Sequence, residues 1–242
     1  MMNRFIYFIL LISSGTFISA QDSTDTGKSK LEVDFGADLV SSYIWRGIQF
    51  SEGPNIQPGI TFKKGGLEFG TWGSSNFTTN FYEVDLFLSY TFKGFTIGVV
   101  DYFLMDNNAI NIKSNYFDYS NNTTDHFIEL SASYENPGKY PFRLMLSTFV
   151  YGADRDINNN NYYATYLELG YLLNIGHLKF DFFIGGVLND NYVYIDDKGI
   201  INLGFKVEKE IKINDEFSLP IYLSFVTNPV RENVFLIFGI TI

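Results

Sequence analysis

The sequence predicts an all-β fold, and within that class a transmembrane antiparallel up-and-down β-barrel of about 12 strands, with short periplasmic turns and longer extracellular loops. Three observations predict it. Apolar and polar residues alternate with period two along most of the chain, and no segment shows helical spacing. Many of the alternating runs are about ten residues long, the length a tilted strand needs to cross hydrocarbon. The connections between runs alternate between short and long, as in outer-membrane barrels. Composition narrows the choice further. Of 242 residues, 46% are hydrophobic, 18% aromatic and only 18% charged, which excludes a disordered tail or a coiled coil. No apolar run reaches the 18 residues of a membrane helix. A net charge of −10 argues against nucleic acid as a partner. The absence of Cys excludes a disulfide scaffold, a thiol nucleophile, an iron–sulfur site and a lipoprotein anchor.

The elements follow in order. Residues 1–20 read as a secretory signal peptide: Arg4 supplies a positive start, Phe5–Ile12 an eight-residue apolar run, and Ser19-Ala20 small residues before the cut. Residues 21–30 are polar and read as a disordered periplasmic lead-in. The barrel domain then occupies 31–242. Its strands are expected near 31–48, 55–63, 67–73, 81–92, 95–105, 126–135, 140–151, 162–175, 178–188, 200–213, 217–227 and 234–242. In the eighth, Tyr163, Leu167, Leu169, Tyr171 and Leu173 share one face, and Tyr166, Glu168 and Gly170 the other. The short connections include Lys64–Gly66, Lys93-Gly94, Gly176-His177 and Asn214–Glu216, whereas the long ones, Asp106–Asp125 and Gly152–Asn161, are rich in Asn. An even strand count returns both ends of the barrel domain to the periplasmic side.

Alternation alone does not say which face points inward. A secreted or periplasmic β protein would bury the apolar face, and a membrane barrel would show it to lipid. Within the expected strands, eighteen charges lie on the polar parity and only Asp101 and Lys209 on the apolar one. That is the pattern expected where a midplane charge costs about 2–4 kcal/mol. The polar face also mixes its charges with Gly and Ser, which suits a crowded, partly wet lumen. Aromatics of the apolar parity gather near strand ends, so Tyr43 and Trp45 on the loop side, and Tyr90, Phe92, Tyr134 and Tyr171 on the turn side, are expected as interfacial anchors.

Ser41–Ser51 reads SSYIWRGIQFS, Pro54–Gly59 reads PNIQPG, and Gly70–Ser75 reads GTWGSS. Over about residues 31–105 the chain resembles the TorF family of bacterial outer-membrane porins. The resemblance implies an outer-membrane barrel that forms a pore, and brings neither catalytic residues nor a substrate. The chain departs from the common outer-membrane pattern in ending on Ile242 rather than on an aromatic residue.

On this reading Arg46 points into the lumen near the mouth, where an ion pair with a nearby carboxylate is the simplest role for it. Gly47 and Gly53 bend the chain into the first loop. The candidate lumen-lining residues are Arg46, Glu83, Asp85, Glu129, Arg143, Glu168, Lys179, Asp181, Lys206 and Glu208. The polar parity carries twelve acids and six bases, so an open pore would prefer cations. Inward aromatics, among them Phe87, Tyr102, Phe149, Tyr151 and Tyr166, offer the opposite outcome, a plugged lumen. No catalytic residue, cofactor or metal site is expected. His177 lies in a turn. His126 has Ile128, not Ser, as its same-face neighbour, so no nucleophile pair forms. Asp154 and Asp156, like Asp196 and Asp197, read as solvated loop charge. The expected partners are outer-membrane lipid, lipopolysaccharide, the barrel-insertion machinery and an unidentified small solute. A closed structural or adhesive barrel is the alternative.

Overall fold

Strict alternation lets a strand present one chemistry to each side of a sheet. A sheet that closes on itself then separates the two completely, with no open edge. The computed structural model describes residues 30–106, 114–136, 140–195, 197–215 and 217–242. The expected signal peptide, nearly all of the lead-in, Asp196 and the centre of the 106–125 loop lie outside the described residues.

Among the described residues there are fourteen strands: β1 Glu32–Val40, β2 Tyr43–Trp45, β3 Ile48–Ser51, β4 Asn55–Lys64, β5 Leu67–Asn76, β6 Phe81–Phe92, β7 Phe95–Asp106, β8 His126–Glu135, β9 Phe142–Gly152, β10 Thr165–Ile175, β11 Leu178–Val187, β12 Gly199–Lys212, β13 Ser218–Asn228 and β14 Asn233–Thr241. Twelve of them form a closed antiparallel barrel, in which each strand pairs with its neighbour in the chain. β1 closes the seam against β14, with Asp38 opposite Thr241 and Leu39 opposite Ile240. No helix occurs among the described residues.

The apolar parity faces outward. Ile97 is 65% exposed, and Leu86, Leu130, Leu146, Leu169, Ile184 and Phe225 are exposed with it. The polar parity is buried inside, with Glu129 and Glu168 at 2% and 1%. A soluble sandwich would show the reverse. Tyr90, Phe92 and Tyr171 are exposed at the turn-side rim, where Tyr134 packs on Phe95 with ring centroids 4.5 Å apart.

In the barrel strands and the first hairpin the structure corrects the sequence reading in three places. The expected strand 31–48 ends at Val40, and Tyr43–Ser51 turns back as the β2–β3 hairpin, a two-stranded sheet of its own. Tyr43 and Trp45 therefore are not interfacial anchors: both are buried in an aromatic core inside the barrel. The reason lies at the turn. Arg46 and Gly47 take φ of 48° and 78°, the two positive dihedrals that reverse a chain in a two-residue hairpin. The third correction is Tyr151. The β8–β9 ladder shifts register between Ile128 and Glu129, and the extra residue of this bulge turns Tyr151 outward, where its hydroxyl donates to the Tyr119 carbonyl at 2.5 Å.

Candidate functional site: the inner hairpin and the lumen

The hairpin reaches from the loop-side mouth across the lumen to the opposite wall. At its base, Ser42 donates to the Ser51 carbonyl at 2.9 Å. Asn76 Nδ2 donates to Ser51 Oγ at 2.6 Å. At its tip, an added Cβ on Gly47 would lie 1.8 Å from the Ile201 carbonyl oxygen, so the turn fits against β12 only as glycine. Asn228 Nδ2 donates to the Gly47 carbonyl at 3.3 Å.

Arg46 is the latch. Its guanidinium donates to both carboxylate oxygens of Glu129 on β8, at 2.6 and 3.0 Å, and to the Tyr194 hydroxyl at 2.5 Å. Bidentate, charge-assisted geometry of this kind is the strong form of the hydrogen bond. The guanidinium carbon also lies 4.4 Å from the Trp45 ring centroid and 4.5 Å from that of Tyr166, a cation between two aromatic faces. Tyr102 completes Glu129 with a 2.9 Å hydrogen bond.

Tyr194 belongs to the β11–β12 loop, which dips into the mouth. Its ring stacks on Trp45 at 5.3 Å and on Tyr166 at 5.8 Å. Asp154 holds this loop down by accepting from the backbone N–H groups of Ala164 and Tyr192, both at 2.8 Å. Asp154 is thus buried and committed to backbone donors, not solvated. The hairpin, this loop and the wall aromatics Trp72, Phe81, Tyr102, Phe149 and Tyr166 together fill the loop-side half of the lumen.

The turn-side half is charged, and its side chains become more exposed toward the turns. Arg143 faces Gly170 across β9–β10 and bridges Glu168 at 2.5 Å and Asp181 at 3.0 Å. Lys206 pairs with Glu208 at 2.6 Å and sits 3.9 Å above the Tyr222 ring. Lys179 reaches Glu210 at 4.0 Å nearer the turns. Between this half and the hairpin lies a cavity of about 120 Å³, bordered by Arg46, Arg143, Asp181 and Lys206 on its polar side and by Ile44, Val226 and Ile237 on its apolar side. All the expected lumen residues do face the interior, but Arg46 arrives on the hairpin and not on the wall. Glu83 and Asp85 sit beside Leu104 and Tyr102 in the sealed half, 3% and 1% exposed.

Family comparison adds one decisive observation: the model of a bacterial protein family of unknown function, Gcw_chp, matches residues 24–193, the greater part of the chain. The chain belongs to the Gcw_chp family. The match runs from before β1 to the β11–β12 loop, so it takes in the hairpin, the Arg46–Glu129 latch and Asp154. The Gcw_chp description names neither a pore nor a substrate. No curated protein and no solved structure matches the chain.

Sequence reasoning missed Tyr194 and Asp154 as parts of the plug. The signal for the first was Tyr192–Ile195, four apolar residues inside an otherwise Asn- and Asp-rich loop. Outside the barrel, His126 is buried under the 114–125 loop. Its Nδ1 lies 2.7 Å from Asp101 and its Nε2 2.6 Å from the Tyr116 carbonyl. Asp101, a charge on the apolar parity, is thereby covered and paired. Among the described residues no cluster of three His, Asp or Glu side chains has metal-binding geometry.

Proposed function

We propose that this chain is an outer-membrane barrel of a Gram-negative bacterium, exported by its N-terminal signal. On this reading it is a passive channel for small solutes, as its TorF-like motifs imply, held shut at rest by the inner hairpin. One observation carries the membrane reading: the exposed outer wall is apolar while Asp, Glu, Arg and Lys side chains fill the interior. The turn side then faces the periplasm. Solutes enter the charged half from there and stop at the Trp45–Arg46–Gly47 floor of the cavity. The acidic excess of the lumen supports a preference for cations. No catalysis is proposed, because both His126 ring nitrogens are already engaged and no nucleophile adjoins them. Outer-membrane lipid, lipopolysaccharide and the barrel-insertion machinery are the partners this reading requires.

Planar-bilayer recording tests it. The wild type should pass little current, and Gly47→Ala, whose new methyl cannot fit against Ile201, should open a channel with a cation-selective reversal potential under a salt gradient. Anion selectivity would remove the cation claim, and silence from both proteins would remove the channel. A second reading, a closed barrel whose loops bind something outside the cell, draws on the exposed apolar loop residues Phe77, Phe117 and Ile157. Silence from both proteins would favour it.

A further inference from the structure

A neutral imidazole carries one N–H and one lone pair, so it donates from one ring nitrogen only, whereas the imidazolium donates from both. His126 opens β8 on the outward, apolar parity, and its side chain is fully buried. Its Nδ1 lies 2.7 Å from a carboxylate oxygen of Asp101, and its Nε2 lies 2.6 Å from the Tyr116 carbonyl oxygen. Both neighbours are acceptors without a proton to give, and both stand at hydrogen-bond distance. Only the doubly protonated ring satisfies the two at once. A neutral ring would turn a lone pair on one of them, in a place shut off from solvent.

The surroundings suit a cation. Asp101 of β7 is one of the two charges on the apolar parity of the wall, and its second oxygen accepts from the Tyr119 hydroxyl at 2.7 Å. The Tyr119 ring stacks on the imidazole at 4.0 Å, and Phe103 and Tyr116 close it in at 4.6 and 5.2 Å, so aromatic faces line the charge. The other charged groups near the segment are turned elsewhere. Arg155 donates to the Asn121 and Thr124 carbonyls at its far end. Asp118 accepts from Ser120 and Thr123 within the segment, and Asp125 is exposed. Asp101 is the one charged side chain paired with the ring among the described residues.

We propose that a proton on His126 clamps the 114–125 segment onto the outer wall of β7 and β8, and that the clamp opens as pH rises through the range in which histidine titrates. The imidazolium bridges a carboxylate of the wall and a carbonyl of the segment. Loss of its proton removes one of the two hydrogen bonds, sets a lone pair against a buried acceptor, and takes away the charge that answers Asp101. Lifting of the segment relieves all three by admitting water. The sign follows: docked at low pH, freed at high pH. The clamp lies outside the barrel and is independent of whether the barrel conducts.

Spin labelling of the full chain in detergent tests it. The chain has no Cys, and Phe117, 90% exposed within the segment, gives a single labelling site as Phe117→Cys. Spectra are compared at about pH 5.5 and about pH 8.5, which bracket the histidine range and leave tyrosine and arginine protonated. The expected result is a reversible change in which the docked-to-free ratio of the segment falls at least about ten-fold at the higher pH, the order of effect of one buried group left unsatisfied. In the labelled chain, His126→Gln, which cannot carry the proton, should leave the segment free at both pH values. His177→Gln, at the other histidine, in an exposed turn, should keep the full pH response. The proposal is overturned if the labelled chain gives the same spectrum at both pH values, or if His126→Gln responds to pH as its parent does. Should His126→Gln fail to fold, Asp101→Asn decides: it must free the segment already at the lower pH, and an unchanged docked fraction there overturns the proposal.

Discussion

Replacing Arg46 by Ala should unseat the inner hairpin and leave the twelve-stranded wall closed. The substitution removes both hydrogen bonds to Glu129, at 2.6 and 3.0 Å, and the 2.5 Å bond to Tyr194. It leaves the Glu129 carboxylate buried, with only the Tyr102 hydroxyl at 2.9 Å. Breaking a buried pair from one side costs about 3–5 kcal/mol, because the surviving charge stays desolvated. The guanidinium also loses its two aromatic faces, each worth about 0.5–2 kcal/mol, though the terms overlap and do not add. A loss near 4 kcal/mol changes the docked-to-undocked ratio of the hairpin by nearly three powers of ten, at about 1.4 kcal/mol per tenfold.

The assay uses the two tryptophans of the chain, Trp45 on the hairpin and Trp72 against it. Denaturant titration in detergent, followed by tryptophan emission, should show the plug releasing at lower denaturant in Arg46→Ala, while far-UV circular dichroism of the wall changes little. Removing both charges, with Arg46→Met and Glu129→Leu together, should recover most of the loss, because neither desolvated charge remains. An Arg46→Ala transition within about 0.5 kcal/mol of the wild type, the range of an ordinary surface change, would refute the reasoning.

Four further expectations follow from the same structure. Arg143→Met strands Glu168 and Asp181 and should destabilise the barrel by about 3–5 kcal/mol. Lys63→Met removes partly exposed pairs at 3.4 and 3.3 Å and should cost under about 1 kcal/mol in the same denaturant titration. Gly185→Ala would set a methyl 2.0 Å from the Tyr166 hydroxyl, pulling that group from its 2.6 Å bond to Glu168, and should cost about 1–3 kcal/mol by overpacking. Asp156 accepts from the backbone N–H groups of Asn160 and Asn158, which hold its carboxyl below the ordinary range. The contribution of those bonds to loop order is therefore full above the ordinary Asp range and is lost only as pH falls through the lowered folded value. A carboxyl titration by NMR should place its midpoint below about 3.9.

The wall was largely legible in the sequence and the plug was not. Period two marks a strand wherever one face meets a single environment, so β6, with its run of Tyr82, Val84, Leu86 and Leu88 against Glu83 and Asp85, declares both its limits and its faces. The sequence pattern also places Arg143 near Glu168, because hairpin register is short-range arithmetic. The hairpin escaped because Tyr43-Ile44-Trp45 continues the alternation of β1. Apolar residues look alike whether they face lipid or an aromatic core. What separated them was the turn chemistry of Arg46-Gly47, two residues between apolar flanks, read at first as the bend into an outer loop. Tyr194 and Asp154 were hidden for a different reason. Their roles depend on loops folding inward across long stretches of chain, and no local period reports that.

The most direct test of the account is a charge on the outer wall. Leu169 lies mid-strand on β10, flanked by Leu144 and Ile184, and is 49% exposed. Folding free energies of Leu169→Arg and of the loop variant Ile157→Arg should be measured by reversible refolding into lipid bilayers. The account predicts a loss of about 2–4 kcal/mol for Leu169→Arg, the cost of an arginine at the bilayer midplane, and none for Ile157→Arg. Equal stabilities within about 0.5 kcal/mol would mean that Leu169 faces water, and would contradict it.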